Sequence, residues 1–418
     1  MSSSTTSSET SVSSRLELRY TALALVLLLV ALVCTAYFNW RVDPFHYYAL
    51  RAKGPFPERA QYVYAGAIKH GAYEALIVGN SHARAFRASE FEKRFKLRTF
   101  LAAFPASSVD EQALTIRHAA DTGSLTTVFW LLDYRALNRK FSLRAGFPDH
   151  LYEPNLATHL RLLLSFGTTE FSLLSVAGKG AKQLAGINRE TTGGATGLAR
   201  VMRSFKSKGE RLAAANEATA LRTERVEEGA GDESGSGADA PDRESDPELS
   251  EARDEAAAEA AQDRETQLNQ VKSKLSDEVT GTMRALPDVT FHLLLAPTSM
   301  ADITLWDSMD RLEEQFVWRD ELFAQLNGLA NVRIHDFQAA TEYSEEWSNY
   351  RDTHHFVTTV GARIAHDVSK GTHEVDSQTA IGQTSKLRRQ YAEFQQRACQ
   401  SASELSLFCV QARSMLPR

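Results

Sequence analysis

The chain is poor in the residues that build the commoner cofactor sites. Its 418 residues hold three cysteines, Cys34, Cys399 and Cys409, without zinc-ligand spacing. No HExxH pair, dinucleotide-binding glycine pattern or phosphate loop is present, so no metal and no cofactor is expected. The stretch GAGDESGSG is glycine-rich, but it neither follows a strand nor precedes an apolar helix, which excludes a phosphate cradle. No run of Lys and Arg interleaved with aromatics occurs, and nucleic acid is therefore excluded as a partner. The nucleophile-elbow pattern GxSxG is also missing, because Ala83 stands where its last glycine would be.

Charge and apolar residues, by contrast, are unevenly distributed. At 43% hydrophobic the chain can bury one sizeable core and still carry appendages. The formal charge is −6, yet Glu224–Glu265 alone holds 16 acidic residues against four basic ones. The remainder is thus about +6, a basic body with a detached acidic tract, compatible with a nearby anionic lipid or envelope polymer.

Between Arg19 and Arg41 there is no charge at all. The segment TALALVLLLVALVCTAYFNW is long enough to cross a hydrocarbon layer of about 30 Å at about 1.5 Å per residue. Tyr20, Tyr37 and Trp40 lie where interfacial aromatics belong. A core helix would show a polar face, and this run has none. Cleavage after Ala36 is the competing reading, although the run exceeds a signal peptide's usual apolar stretch of about 7–15 residues. Lipidation of Cys34 would require a small residue before it, where Val33 stands. Residues 20–40 are therefore expected to be a transmembrane helix. Arg41, Arg51 and Lys53 follow closely, so charge does not fix its orientation. In an oxidising compartment Cys399 and Cys409 could pair; otherwise they are two unrelated thiols in a helical tail.

Beyond the apolar run the pattern alternates. Strand-like runs at Ala75–Val78, Leu97–Ala103, Thr126–Leu132, Phe291–Pro297 and Val332–Phe337 are separated by helix-like stretches. These stretches include Ala83–Arg94, one beginning near Ser108 with Glu111 as a capping box, and one around Trp306–Leu329. Short, uninterrupted apolar strands alternating with helices imply an α/β fold, a three-layer α/β/α sandwich around a roughly five-stranded parallel sheet.

The expected organisation is an unordered cytoplasmic head (1–19), the transmembrane helix (20–40), a leading segment (41–73), a first half-domain (74–139) and a helical insertion (140–207). An acidic, low-complexity insertion follows (208–266), then the second half-domain (267–370) and a helical tail (371–418). The acidic insertion has almost no aliphatic or aromatic bulk, so its centre is expected to be disordered, its end leading as a helix into the fourth strand.

Chemistry concentrates at two places. In ALIVGNSHARAF a strand ends in Gly79-Asn80-Ser81 and a helix begins, which exposes the serine hydroxyl and leaves backbone N–H groups free to hold an oxyanion. The plain alternative is an ordinary helix cap. In YRDTHHF, Asp352 and His355 stand three apart, so that one loop can supply both a base and the carboxylate that orients it. His354 is the alternative base. In an open α/β sheet both places fall at the carboxyl edge of the strands.

A strand ending in G-[DNST]-S near the start of a domain, with D-x-x-H near its end, resembles the SGNH/GDSL hydrolase superfamily. With a membrane helix about forty residues before the serine, the layout is similar to the membrane-anchored type found in D-alanyl-lipoteichoic acid biosynthesis. The resemblance covers about Glu74–Val368 without the insertions. It implies Ser81 as nucleophile, His355 as general base, Asp352 as its orienting acid, and a body outside the inner membrane.

It also implies two further oxyanion donors, a glycine after the second strand and an asparagine after the third. Here the chain departs: Ala103 or Ala106 stands near the first position and Asp133 at the second, with Asn138 as a substitute donor; Asn80 replaces the common Asp. Gly79, Asn80, Ala106, Asp133 and Asn138 are thus candidates for the oxyanion site or pocket. The expected function is that of an esterase or O-acyltransferase acting on an acylated envelope glycan, polymer or lipid through an acyl-serine, with a membrane-bound O-acyltransferase as a potential partner. The alternative is a non-catalytic, membrane-tethered binding or scaffolding module.

Overall fold

The apolar runs become strands at the expected places. The protein is represented by a computed structural model that describes residues 6–49, 60–153, 155–177, 198–211 and 247–410. The strands are β1 (Ala75–Gly79), β2 (Thr99–Ala103), β3 (Thr127–Leu132), β4 (Thr290–Leu295) and β5 (Val332–Asp336), and they pair in parallel in the order β2-β1-β3-β4-β5. A sixth strand, β6 (Glu374–Val375), adds antiparallel to β5. The sheet is therefore mixed and six-stranded, where five parallel strands were expected. Gly371, with φ 69°, ends the helix Thr358–Lys370 in the left-handed region, and the chain turns back to form that edge.

Every residue of β1, β2 and β3 is buried, so both faces of the sheet's centre are covered, as uninterrupted apolar strands require. On one face Ile77, Leu101, Phe129, Leu131 and Leu294 form a single core with Phe86, Phe91, Val360 and Ile364 from the helices. On another part of the sheet the indole N–H of Trp130 donates to Gln112 Oε1 at 2.8 Å, tying β3 to the helix Val109–Ala120. That helix opens with the expected capping box of Ser108 and Glu111. Glu111 is fully buried and is compensated by the guanidinium of Arg144.

Two expected helices are broken. In place of Ala83–Arg94, a 3-10 turn (Ser81–Ala85) runs into extended Phe86 and the helix resumes at Ala88–Phe95. Gly361 accounts for that turn's seat: a Cβ there would lie 2.3 Å from the Ala85 carbonyl oxygen, so only glycine lets helix Thr358–Lys370 lie against it. The stretch around Trp306–Leu329 divides into Met300–Asp307 and Leu312–Leu326, interrupted at Asp310 with φ 55°. The end of the acidic tract is the helix Pro247–Lys274, which continues through a π turn (Leu275–Thr280) and Gly281–Ala285 into β4. The centre of the tract, 212–246, lies outside the described residues. The tail helix is Ser377–Gln400, and Cys399 pairs with Cys409 in a disulfide.

The chain divides into two compact units, one of Met1–Ala72 with Gly146–Arg189, the other of Tyr73–Ala145 with Glu190–Arg418. The stretch 140–207 is thus shared between them, with residues 198–211 forming a helix of the sheet-bearing unit. In the first unit a helix runs from Thr6 to Val42, and Glu17–Val42 within it is long and apolar enough to cross a membrane. The helix extends well into the head expected to be unordered, because adding a turn to an existing helix costs far less than nucleating one. It ends at Asp43, whose carboxylate accepts from the backbone N–H groups of Tyr47, Tyr48 and Ala49 at 2.8–3.0 Å. Against its last turns lie the helices Leu156–Leu164 and Phe166–Val176.

Candidate active site

Ser81, Asp352 and His355 converge. Ser81 is the first residue after the β1 end, Gly79-Asn80, and it opens the 3-10 turn. The Asn80 carbonyl oxygen of the side chain accepts from His82 N–H at 2.9 Å, which caps the turn and fixes the serine's backbone. Gly79 is required by packing, since a Cβ there would meet Ala83 Cβ at 2.9 Å and Leu131 at 3.1 Å.

From the other end of the domain, the loop before helix Thr358–Lys370 delivers Asp352 and His355. Asp352 Oδ1 accepts from the backbone N–H groups of His354 (3.0 Å) and His355 (2.9 Å), a tight turn that sets the loop. Asp352 Oδ2 lies 2.8 Å from His355 Nδ1, and His355 Nε2 lies 3.0 Å from Ser81 Oγ. With the carboxylate ionised, Nδ1–H donates to Asp352, leaving Nε2 to accept from the serine hydroxyl. Burial, partly offset by Asp352, holds His355 below its ordinary value, so the ring is neutral and basic at neutral pH. Burial would raise Asp352, but the His355 hydrogen bond and the neighbouring imidazoles outweigh it and keep the carboxyl ionised.

His354, the alternative base, faces other partners. Its Nδ1 lies 2.7 Å from Lys208 Nζ, and burial together with His355 and Arg135 lowers its basicity. The strand β3 ends at Asp133, which caps the short helix Tyr134–Leu137 by accepting from Ala136 N–H at 2.9 Å. Its other oxygen accepts from Asn80 Nδ2 at 2.6 Å and sits 3.1 Å from His82 Nδ1. Burial opposes ionisation of Asp133, and His82, Asn80 and Ala136 overcome it. One oxygen is therefore held by the turn that follows β3 and the other by the residues on either side of Ser81. Ala106, one of the two alanines near the expected glycine, adopts φ 58°, the left-handed conformation that glycine takes without strain. Asn138 ends the Tyr134–Leu137 turn, its N–H donating to Tyr134 O at 2.8 Å; among the described residues no hydrogen bond joins its side chain to the triad.

Several neighbours escaped the sequence reading. His82 is buried with its ring 5.2 Å from that of His355. Buried Asp302 takes both contacts from Arg135, at 2.6 and 2.7 Å. Ser299 donates to the Thr353 carbonyl, and Lys208 donates to Thr353 Oγ1. The helix 198–211 thus grips the loop that carries the base, through Lys208 and through Arg200, which donates to the Arg351 carbonyl. Its signal was there to be read: Leu198, Val201, Met202 and Phe205 repeat at i, i+3, i+4 and i+7, and all four pack on the core.

No metal was expected, but His82, His354 and His355 each offer a ring nitrogen within 4.8 Å of the others, a spacing a divalent ion could use. Because Asp352 holds His355 Nδ1, such an ion would have to take Nε2 and displace Ser81. Comparison of the chain with protein-family models, curated proteins and solved structures found no match.

Proposed function

We propose that the chain is a membrane-anchored serine esterase or O-acyltransferase of the SGNH type, working through an acyl-Ser81 intermediate on an acylated envelope glycan, polymer or lipid. The observation that carries this reading is the relay Asp352 Oδ2–His355 Nδ1 at 2.8 Å and His355 Nε2–Ser81 Oγ at 3.0 Å. Ser81 Oγ attacks the acyl carbonyl carbon as its proton passes to His355 Nε2, and Asp352 stabilises the imidazolium. The departing alcohol recovers that proton. Water or an acceptor hydroxyl then gives its proton to His355 and attacks the acyl-serine, releasing Ser81. Oxyanion donors in this scheme are the backbone N–H groups of Ser81 and Ala106.

A three-layer sandwich of the SGNH kind fits the buried faces of the sheet and its order β2-β1-β3-β4-β5. In that order the winding of the chain switches between the parallel neighbours β1 and β3, the point at which open α/β sheets generally place a ligand crevice; Ser81 follows β1 and Asp133 follows β3. The anchor reading draws on the Glu17–Val42 span, and an exported body on the Cys399–Cys409 disulfide, a bond suited to an oxidising compartment. A membrane-bound O-acyltransferase would be the natural acyl supplier if the reaction is transfer.

One observation favours a second reading. A carboxylate, Asp133, stands where the family resemblance implies an amide donor, which suits a binding module that has kept the relay's shape. A fluorophosphonate probe separates the two: the enzyme is labelled covalently at Ser81, and labelling is lost in Ser81→Ala and in His355→Ala. A folded wild-type protein that resists the probe leaves the binding module as the better account.

A further inference from the structure

The helices Leu156–Leu164 and Phe166–Val176 carry a concentration of exposed apolar side chains found nowhere else among the described residues outside the N-terminal helix. Leu156, Leu160, Leu164, Phe166, Leu173, Leu174 and Val176 are all exposed, from 38% to 84%, and beyond them only Leu143, at 37%, is a large apolar residue in that class. The spacing is helical: Leu156, Leu160 and Leu164 recur every fourth residue on one helix, and Phe166, Leu173 and Val176 share a face of the next. The opposite faces are inward, with Thr158, Leu162, Thr168 and Ser172 buried. Arg161 and Glu170 are the only formal charges between Leu156 and Val176. A patch of this kind left to water is unfavourable, and its pattern is that of helices lying in a membrane interface.

The position of the pair says what covers it. Both helices pack against the carboxyl end of the N-terminal helix, where Asn39, almost fully buried, donates from Nδ2 to the Leu163 carbonyl at 2.8 Å and to Thr169 Oγ1 at 2.9 Å. The uncharged run Tyr20–Trp40 spans about 30 Å at about 1.5 Å per residue, so Asn39 falls at the end of the hydrocarbon layer. The apolar face therefore lies beside the end of the span, at the depth where acyl chains meet headgroups.

We propose that Leu156–Leu164 and Phe166–Val176 form a lipid-binding face that lies in the membrane interface beside the carboxyl end of the anchor. This rests on reading the N-terminal helix as an anchor. The face holds the unit of Met1–Ala72 and Gly146–Arg189 against the bilayer and prevents it from standing off on a free stalk.

The test uses the full chain in a Cys34→Ser background with the disulfide intact, reconstituted into phosphatidylcholine–phosphatidylglycerol vesicles. A single cysteine at Leu25, Leu160 or Leu173 carries an NBD fluorophore. Lipids with a shallow nitroxide are expected to quench the probes at 160 and 173, with loss of quenching by aqueous iodide, while a deep nitroxide quenches the probe at 25. If 25 is quenched by lipid and 160 and 173 by iodide, the anchor stands and the lipid face is wrong. If 160 and 173 are shielded from iodide and lipid alike, protein covers them, a second copy or another chain, and the proposal is overturned. A probe at 25 that no lipid quenches removes the anchor reading itself.

Discussion

At the residue scale the relay depends on groups far apart in sequence, since Ser81 Oγ meets a ring 274 positions away. Asp352 supports His355 by a single 2.8 Å contact and by shaping the loop through two backbone N–H groups. Asp352→Asn should therefore retain the fold but lower acylation of Ser81 by about a thousandfold or more, because the imidazole loses its orienting acceptor. The pH profile has a definite sign. His355 is held below its ordinary value, so the reactive neutral form dominates at neutral pH and acylation falls only as pH drops below about 6.5. An acid limb centred above neutrality, followed by the rate of fluorophosphonate labelling, would contradict this assignment.

Asn80 and Asp133 are better understood as a pair than as two separate departures from the family pattern. Asn80 Nδ2 donates to Asp133 Oδ2 at 2.6 Å, so the amide that follows β1 is the direct partner of the carboxylate that follows β3. Asn80→Asp alone would set two carboxylates in contact in a buried site, at a cost of about 2–4 kcal/mol. Asp133→Asn alone would turn an amide donor toward donors already satisfied by the acid. The double exchange should recover much of the loss, with a coupling of about 1–3 kcal/mol in a denaturation cycle. Additive losses would mean the two side chains are not partners. Neither residue's role was legible in isolation, because the bond joins the ends of two strands 53 positions apart.

At the element scale, the parallel strands were legible because a strand buried on both faces is mostly apolar: β1 is so throughout, β3 except for Thr127, and β4 except for Thr290 and His292. β6 was not, since two residues carry no periodicity and their pairing follows from the turn at Gly371. The breaks at Phe86 and Asp310 were hidden for a related reason: contact and backbone geometry interrupt stretches whose composition favours a helix. The helix 198–211 had a clear apolar repeat but straddled the expected boundary between the helical insertion and the acidic tract, and its hold on the loop that carries Asp352 and His355 depends on tertiary contacts.

The sheet also contains a titratable element. His292 on β4 and His335 on β5 are buried side by side, Nδ1 to Nε2 at 3.1 Å, and burial lowers them to about 3 and about 4. In the unfolded chain each takes a proton near 6.5, so between these values the unfolded state binds more protons and stability falls as pH falls. Each imidazole contributes roughly 1.4 kcal/mol per pH unit below about 6.5 until its folded value is approached. The melting temperature should therefore drop steadily from pH 6.5 to 5, and His292→Gln should make that slope clearly shallower. An unchanged slope in the variant would place the acid sensitivity elsewhere.

At the scale of the whole molecule, two features far apart in sequence bear on which compartment holds the body. The span Glu17–Val42 is long and apolar enough to serve as an anchor near the amino terminus, and flanking charge does not orient it, because Arg15 and Arg19 on one side are balanced by Arg41, Arg51 and Lys53 on the other. The orienting observation comes from the opposite end, where Cys399 and Cys409 are bonded and Phe408 between them packs on Phe205 at 4.8 Å. A disulfide beside Phe408, which packs on the helix 198–211 that holds the Asp352–His355 loop, is of use only where thiols are oxidised. The expectation is therefore an amino terminus inside and the sheet-bearing body outside. An alkaline phosphatase fused after Arg418 should be active in cells, and thiol alkylation of intact cells followed by denaturation should find Cys399 and Cys409 blocked until a reductant is added. Reduced cysteines, together with an active cytoplasmic reporter at the same junction, would reverse the topology and remove envelope polymers from the list of substrates the Ser81 site could reach.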